Sequence, residues 1–184
     1  LVIEKAKNES RGCAYFVAAI DKLAVINETY GFGVADEVIV ATGNRLARSL
    51  RGSDIIGRIA GNKFGIILNN CSNHEMALVA QRLNAAVRAE VVETPAGLVA
   101  ATISVGAVFL PEDAATSQEA MLQAEEALER ARSTGRSGYA VYTKSAQREV
   151  ARRRLMTIAD EIMSALNEDR VVLAYQPIVG AISR

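Results

Sequence analysis

The sequence predicts an α/β (α+β) fold in which helices flank a central mixed sheet. Half of the 184 residues are hydrophobic, which is enough for a sizeable core. Short apolar runs of strand length alternate with longer segments whose apolar residues recur at intervals of three and four. Two of the strand runs are joined by a Gly/Asn turn, so we expect part of the sheet to be antiparallel.

The predicted elements follow one another in a simple order. We expect strands at residues 15–20, 55–59, 64–68, 99–110 and 138–142, and helices at 21–29, 34–50, 75–89 and 118–133. The helix at 75–89 is preceded by Ser72-Asn73-His74-Glu75, which is typical of a helix start. The apolar side of the helix at 118–133 is expected to consist of Met121, Leu122, Ala124, Leu128 and Ala131.

The last forty residues have a different character. Residues 145–166 predict an amphipathic helix with an apolar stripe at Leu155, Ile158, Ile162 and Leu166. A further strand is expected at residues 171–175, and a lone strand leaves its edges unpaired. We therefore expect one domain at residues 1–143, a linker helix at 144–169 and the start of a second domain at 170–184.

Several classes of protein are disfavoured by composition. The 21 basic and 21 acidic side chains balance, so we expect no nucleic-acid partner. Cys13 and Cys71 lie far apart and His74 is the only histidine, which disfavours zinc or a disulfide and favours the reducing cytoplasm. No apolar run approaches the ~20 residues that span a bilayer, so we expect no membrane contact within this chain. The start at Leu1 suggests an excised piece, with room for a membrane or sensor region upstream.

Four segments, taken in order, resemble the GGDEF family of diguanylate cyclases: residues 21–38 (DKLAVINETYGFGVADEV), 51–68 (RGSDIIGRIAGNKFGIIL), 102–107 (TISVGA) and 124–139 (AEEALERARSTGRSGY). The resemblance covers about residues 10–143 and implies the nucleotide-cyclase, ferredoxin-like GGDEF fold. Members convert two GTP molecules into cyclic di-GMP. They use divalent cations held by an Asp at the end of the first strand and an acidic residue in the signature turn.

Both metal-binding positions of the family differ in this sequence. The first-strand Asp aligns with Ala19, whereas Asp21 matches the second Asp of the usual Asp-x-Asp. The signature turn is Ala60-Gly61-Asn62-Lys63-Phe64, so Asn62 replaces the carboxylate and Lys63 its acidic neighbour. Mg²⁺ prefers hard oxygen ligands. We therefore expect no catalytic residues, no metal site and no cofactor, and predict that the chain is not a cyclase.

Other positions match the family and imply nucleotide binding. Asn27 and Asp36 align with residues that contact guanine, and Arg132 and Arg136 with cations that contact phosphates. Ala24 replaces a further cation of the family, while Lys63 places a new positive charge in the turn. The alternative is structural: Asn27 caps a turn, Asp36 suits the first turn of a helix, and the arginines are surface residues.

A product-binding site is also suggested. Arg51-Gly52-Ser53-Asp54 matches the family's RxxD inhibitory site, and Arg58 matches a further arginine. The resemblance implies that these residues bind cyclic di-GMP, because arginine forks onto phosphate or guanine. The alternative is that Arg51 ends a helix and Asp54 caps the approach to a strand.

The C-terminal segment resembles the entry to an EAL phosphodiesterase domain. The resemblance covers about residues 150–180 and is most specific at Tyr175-Gln176-Pro177-Ile178-Val179, where Gln176 matches a substrate contact. The Glu-Ala-Leu metal motif would lie beyond Arg184, so we expect no hydrolysis by this fragment. The parent protein is expected to be a cyclic di-GMP phosphodiesterase.

Three interpretations therefore stand side by side. The first is a catalytically inactive GGDEF domain that regulates its own EAL domain by binding GTP. The second is a receptor module for cyclic di-GMP at Arg51 and Asp54. The third is a structural domain that forms homodimers or contacts a partner without nucleotide.

Overall fold

The computed structural model describes residues 12–133, 135 and 137–172. In this part of the chain the strands are Cys13–Ile20 (β1), Ile55–Ala60 (β2), Lys63–Leu68 (β3), Val92–Thr94 (β4), Gly97–Val99 (β5), Ile103–Leu110 (β6) and Tyr139–Val141 (β7). The helices are Leu23–Tyr30 (α1), Phe32–Arg48 (α2), Asn73–Arg88 (α3), Ser117–Ser133 (α4) and Ala146–Asn167 (α5). The chain divides into two units, residues 1–143 and 144–184.

The first unit is built on a mixed sheet with the strand order β2-β3-β1-β6-β7. The neighbours are antiparallel except for β6 and β7, which run parallel. Alternate residues of β1 face opposite sides of the sheet. Phe16 packs among residues of α2 and α3, whereas Val17 packs against α4. The predicted mixed sheet with flanking helices is confirmed.

The predicted single strand at residues 99–110 is wrong. This segment holds the end of β5, a break at 100–102, and β6. β4 and β5 form a separate two-stranded sheet, with Val92 opposite Val99. The error arose because the apolar run continues across the break, and an unbroken run does not reveal where pairing partners change.

The side of α4 that faces the sheet differs from the predicted apolar side. Met121 and Leu122 are exposed, and small side chains contact the sheet instead. A Cβ atom on Gly106 of β6 would overlap the backbone of Ala124 and Leu128. The helix packs tightly because both surfaces are small, so the two large exposed side chains were wrongly assigned to the core. The buried residues of the helix are Ala120, Ala124, Ala127, Leu128 and Ala131.

Two helix ends are held by polar side chains. Ser72 and Glu75 form a capping box at the start of α3, as the local sequence predicts. Arg45, only 8% exposed, donates to the carbonyl oxygens of Val87, Glu90 and Val91, at and just beyond the end of that helix. A guanidinium suits the negative end of a helix dipole. No sequence pattern predicted this contact.

The second unit contains α5, which runs without interruption over 22 residues. Ile158, Ile162 and Leu166 of the predicted apolar stripe are exposed. Val171 and Val172 belong to no strand, and the rest of the predicted strand, with Tyr175 to Val179, lies outside the described residues. Among the described residues, no helix is both long and apolar enough to cross a membrane.

Candidate functional site

The end of β1 and the β2–β3 turn meet at one edge of the sheet. Ala19 is fully buried and lies opposite Lys63 of β3 and Ser104 of β6. The Ile20 N–H donates to the Asn62 carbonyl at 2.9 Å, and the Asn62 side-chain amide donates to the Ile20 carbonyl at 3.0 Å. These two hydrogen bonds join the turn to the end of β1, just ahead of α1.

Lys63 is not a free cation. Its Nζ lies 2.7 Å from Oε2 of Glu125 on α4, and the two side chains are 26% and 36% exposed. Burial and, second, the charge of Glu125 raise the pKa of the Tyr15 phenol above its ordinary value. The positive charge that the sequence places in the turn is therefore already balanced within the chain.

The side chains at this edge do not fit a divalent cation. Mg²⁺ needs several oxygen ligands in near-octahedral geometry. Ala19 offers a methyl group, Asn62 turns its NH₂ group toward the Ile20 carbonyl, and Lys63 brings a positive charge. Across the described residues, no group of three or more His, Cys, Asp or Glu could hold a metal ion.

Asp21 is held by hydrogen bonds from three residues in two other segments. Its carboxylate accepts from Thr102 Oγ1 and Ser104 Oγ, both at 2.8 Å, and from the Ser137 backbone N–H at 3.3 Å. Its own N–H donates to the Thr102 carbonyl at 2.9 Å. This carboxylate therefore ties the end of β1 to β6 and to the segment before β7.

The two predicted guanine contacts lie on consecutive helices. Asn27 is half-buried on α1, and its Oδ1 is buried without a hydrogen-bond partner in the described part of the chain. Its backbone carbonyl accepts from the Gly31 N–H at 2.8 Å, so Asn27 lies beside the start of α2. Asp36 is exposed one turn into α2. The first of these adjoining helices thus carries a buried, unpaired side-chain oxygen and the second an exposed carboxylate.

The start of α1 is open to an anion. Lys22 at the N-cap has a left-handed backbone conformation, with φ of 54°, and makes no side-chain capping hydrogen bond. Uncapped N–H groups at a helix start attract anions. Ala24, at the position of the family's cation, is exposed and adds no charge.

Only one of the two predicted phosphate-binding arginines is described. Arg132 is half-buried on α4 and pairs with Glu129, at 3.2 Å from Nη1 to Oε1. Arg136 lies outside the described residues. Of the remaining signature residues, Phe64 is buried beside Gly43 of α2, whereas Ala60 and Gly61 are exposed.

The predicted product-binding residues are only partly together. Asp54 holds its own loop, because one oxygen accepts from the Arg51 N–H at 2.9 Å and the other from the Asn69 N–H at 3.2 Å. Arg51 lines a surface recess with Arg82 of α3. Arg58 is absent from that recess: it donates from Nη2 to the Gly61 carbonyl at 2.9 Å and so holds the hairpin turn.

The recess also contains a thiol. Burial and then the carboxylates of Glu75 and Asp54 raise the pKa of Cys71 to about 11. Both Cys13 and Cys71 are free and buried. A protonated, buried thiol behaves as a small apolar side chain.

Three residues of this region were missed at the level of sequence. Glu125 follows Lys63 by 62 positions, Ser104 follows Asp21 by 83, and Arg82 reaches Arg51 only through the packing of α3. Local spacing carries no information on such pairs. One sequence signal was present: Lys63 stands at a turn position that is acidic in the family, and a partly buried cation needs a counter-ion.

Comparison with known proteins places the first unit in a family. A family model described as diguanylate cyclase, GGDEF domain, matches residues 2–138. The chain is 26% identical to the cyclic di-GMP phosphodiesterase NbdA of Pseudomonas aeruginosa, over 97% of this chain and 22% of the relative. It is also 26% identical to the bifunctional diguanylate cyclase/cyclic di-GMP phosphodiesterase MucR of that organism, over 97% and 26%. The chain thus spans about a quarter of these relatives.

Solved structures share the fold of the first unit. The GGDEF domain of YfiN (TpbB) from Pseudomonas aeruginosa superposes with a TM-score of 0.75 at 22% identity, covering 78% of this chain and 90% of that one. An EAL/GGDEF domain protein from M. capsulatus superposes with a TM-score of 0.69 at 26% identity, covering 74% and 88%. The family match and the shared fold agree, and the chain belongs to the diguanylate cyclase GGDEF domain family.

Proposed function

We propose that this domain binds a guanine nucleotide as a regulatory ligand and does not convert it. The observation that carries the proposal is the buried Oδ1 of Asn27, which has no partner within the described residues. An unpaired buried acceptor costs ~1–3 kcal/mol. A guanine that displaces the atoms covering Asn27 Oδ1 would supply its N1–H and N2–H₂ groups as donors to Asn27 and to the exposed carboxylate of Asp36. Adenine presents no such pair of donors, so this arrangement favours GTP over ATP.

We propose that GTP is not converted because the side chains near the turn cannot hold the required metal ions. Phosphoryl chemistry on GTP needs cations that bridge the phosphate oxygens and neutralise the developing charge. Ala19 and Asn62 supply no carboxylate for such ions, and Lys63 is bound to Glu125. We expect no cyclic di-GMP from GTP with Mg²⁺ or Mn²⁺, measured by chromatography against a blank.

Calorimetric titration with GTP and ATP, each with and without Mg²⁺, tests nucleotide binding. We expect binding of GTP in preference to ATP, with little dependence on Mg²⁺. Asp36→Ala removes a charged hydrogen-bond acceptor and should cost ~1.5–3 kcal/mol, about ten- to a hundredfold in affinity for GTP. Glu37→Ala, which removes the adjacent exposed carboxylate, is the matched control and should bind normally. Equal affinity of the parent chain for GTP and ATP would refute the proposal.

A second candidate is a receptor for cyclic di-GMP. Arg51 and Arg82 line one recess together with Asp54 and Glu75, and an arginine can donate two parallel hydrogen bonds to a phosphodiester. Asp54 contributes by holding the loop, since both its oxygens accept backbone hydrogen bonds. Arg51→Ala should then weaken cyclic di-GMP binding at least tenfold and leave GTP binding intact, with Arg48→Ala as the control. No binding of cyclic di-GMP to the parent chain would remove this candidate.

The regulated target is proposed to be a following EAL domain. Both NbdA and MucR carry a phosphodiesterase name and match 97% of this chain, including α5. A continuous helix acts as a semi-rigid spacer, so it suits the transfer of a conformational change. In the full-length protein GTP should change cyclic di-GMP hydrolysis, within the 5- to 150-fold range typical of allosteric coupling.

The coupling is tested by a variant of the linker. Two glycines inserted after Ala159 should abolish the effect of GTP on hydrolysis while GTP binding persists. Two alanines at the same place preserve helix propensity and control for the change in length. Hydrolysis that does not respond to GTP in the unaltered protein would favour the third interpretation, a structural domain that dimerises or binds a partner.

A further inference from the structure

The strongest feature that the proposed function leaves unexplained is the ion pair between Lys63 and Glu125. Lys63 follows Asn62, whose side chain is bonded to the Ile20 carbonyl, and Ile20 lies three residues before the start of α1. The pair therefore lies at the edge of the sheet where α1 begins. Its two side chains are only partly buried, at 26% and 36% exposure, so an incoming anion can reach them.

Phosphates of a nucleotide held at Asn27 would lie toward this pair. Asn27 is the fifth residue of α1, about 6 Å along the axis from Leu23 at a rise of 1.5 Å per residue. Among the described residues no side chain caps this helix start, and uncapped N–H groups attract an anion. A polyphosphate that extends from the base toward the helix start approaches the turn that contains Asn62 and Lys63.

We propose that Glu125 is a specificity-determining residue of this nucleotide site, because its carboxylate occupies Lys63 and competes with ligand phosphates for that cation. The proposal rests on the guanine-nucleotide function proposed above. Glu125 already takes one of the three Lys63 donors at 2.7 Å and neutralises its charge, and the Glu125 carboxylate repels the same phosphate. The site therefore gains less affinity from the phosphate groups than an unpaired Lys63 would provide, and recognition depends more on guanine.

Removing the charge of Glu125 tests this competition. Glu125→Gln keeps the size of the side chain and frees Lys63, so affinity for GTP should rise about three- to tenfold. This range is the change in affinity that one charged hydrogen bond contributes, reduced because the two side chains are partly exposed to solvent. Affinity for guanosine should stay within about twofold, because guanosine carries no phosphate. The titrations are made without metal, at two salt concentrations, and the gain should shrink at high salt.

Two further variants make the result specific to Lys63. In Lys63→Met the change Glu125→Gln should increase GTP affinity much less, because the cation it frees is gone and only the repulsion between Glu125 and the phosphates is relieved. Glu112→Gln removes the same charge at an exposed position just after β6 ends, at the opposite end of that strand from Ile103 and the site. It should leave both affinities unchanged. A gain in GTP affinity that is as large without Lys63 as with it, or that appears equally for guanosine, would overturn the proposal.

Inorganic tripolyphosphate separates this inference from the proposed function. Glu125→Gln should bind tripolyphosphate more tightly than the parent chain even if guanine is not recognised. Failure of guanosine and GTP to bind any variant would remove the guanine function alone. If Glu125→Gln increases neither GTP nor tripolyphosphate binding, while its thermal unfolding shows an intact fold, the competition does not exist.

Discussion

Replacing Asp21 tests whether its carboxylate stabilises the fold or binds a ligand. The resemblance places Asp21 in the family's Asp-x-Asp pair, yet its carboxylate accepts hydrogen bonds from Thr102, Ser104 and Ser137. Asp21→Ala removes all three and leaves the Ser104 hydroxyl, on a fully buried residue, without its acceptor. We therefore expect Asp21→Ala to lower the stability of the first unit and to leave its other exposed side chains unchanged.

The size of the loss follows from these contacts. A hydrogen bond to a charged group contributes ~1.5–3 kcal/mol, and an unpaired buried hydroxyl costs ~1–3 kcal/mol. Asp21 is itself partly exposed, so water replaces some of what is lost. We therefore expect Asp21→Ala to lower the free energy of unfolding by about 3–5 kcal/mol, against a typical total of about 5–15 kcal/mol. Asp21→Asn keeps one acceptor oxygen and should cost about 1–2 kcal/mol.

Urea unfolding followed by circular dichroism measures these changes. Asp36→Ala is the matched control, because this carboxylate is exposed and has no hydrogen-bond partner among the described residues; its effect should stay within about 0.5 kcal/mol. The two positions should thus behave oppositely, with Asp21 affecting stability and Asp36 affecting guanine preference. An unfolding free energy of Asp21→Ala within about 0.5 kcal/mol of the parent would refute the reasoning.

Three other predictions concern the packing around the site. Arg45→Met should lower the free energy of unfolding by about 2–4 kcal/mol, because three carbonyl groups lose their donor; Arg48→Met, on an exposed residue of the same helix, should change it little in the same urea titration. Gly106→Ala should prevent close packing of α4 on β6 and cost more than about 3 kcal/mol, and a parental melting temperature would contradict this. Cys71, with its pKa raised to about 11, should hold about a hundredfold less thiolate at pH 8 than an ordinary thiol. Its alkylation, followed by mass spectrometry, should accelerate as pH rises toward 11; labelling at pH 8 as fast as in the urea-unfolded chain would contradict the prediction.

Much of the fold was readable from local pattern. The hairpin of β2 and β3, the helix start at Ser72 and the places of β1 and β7 along the chain all follow from runs of a few residues and their turns. The same reasoning failed where local pattern is silent. It joined β5 to β6 and assigned Met121 and Leu122 to the core, because large apolar residues outweighed the alanines that fit against Gly106.

The sequence by itself determined which chemical groups are present at the candidate site: a methyl group at Ala19, an amide at Asn62 and a cation at Lys63. Only the tertiary structure decided what those groups do. It bonds Asn62 to Ile20, pairs Lys63 with Glu125 across 62 positions, and uses Asp21 to hold β6. The physical reason is the distance along the chain over which each kind of interaction acts. Helix and turn signals act over a few residues, whereas the partner of a buried polar or charged group is chosen by how distant segments pack.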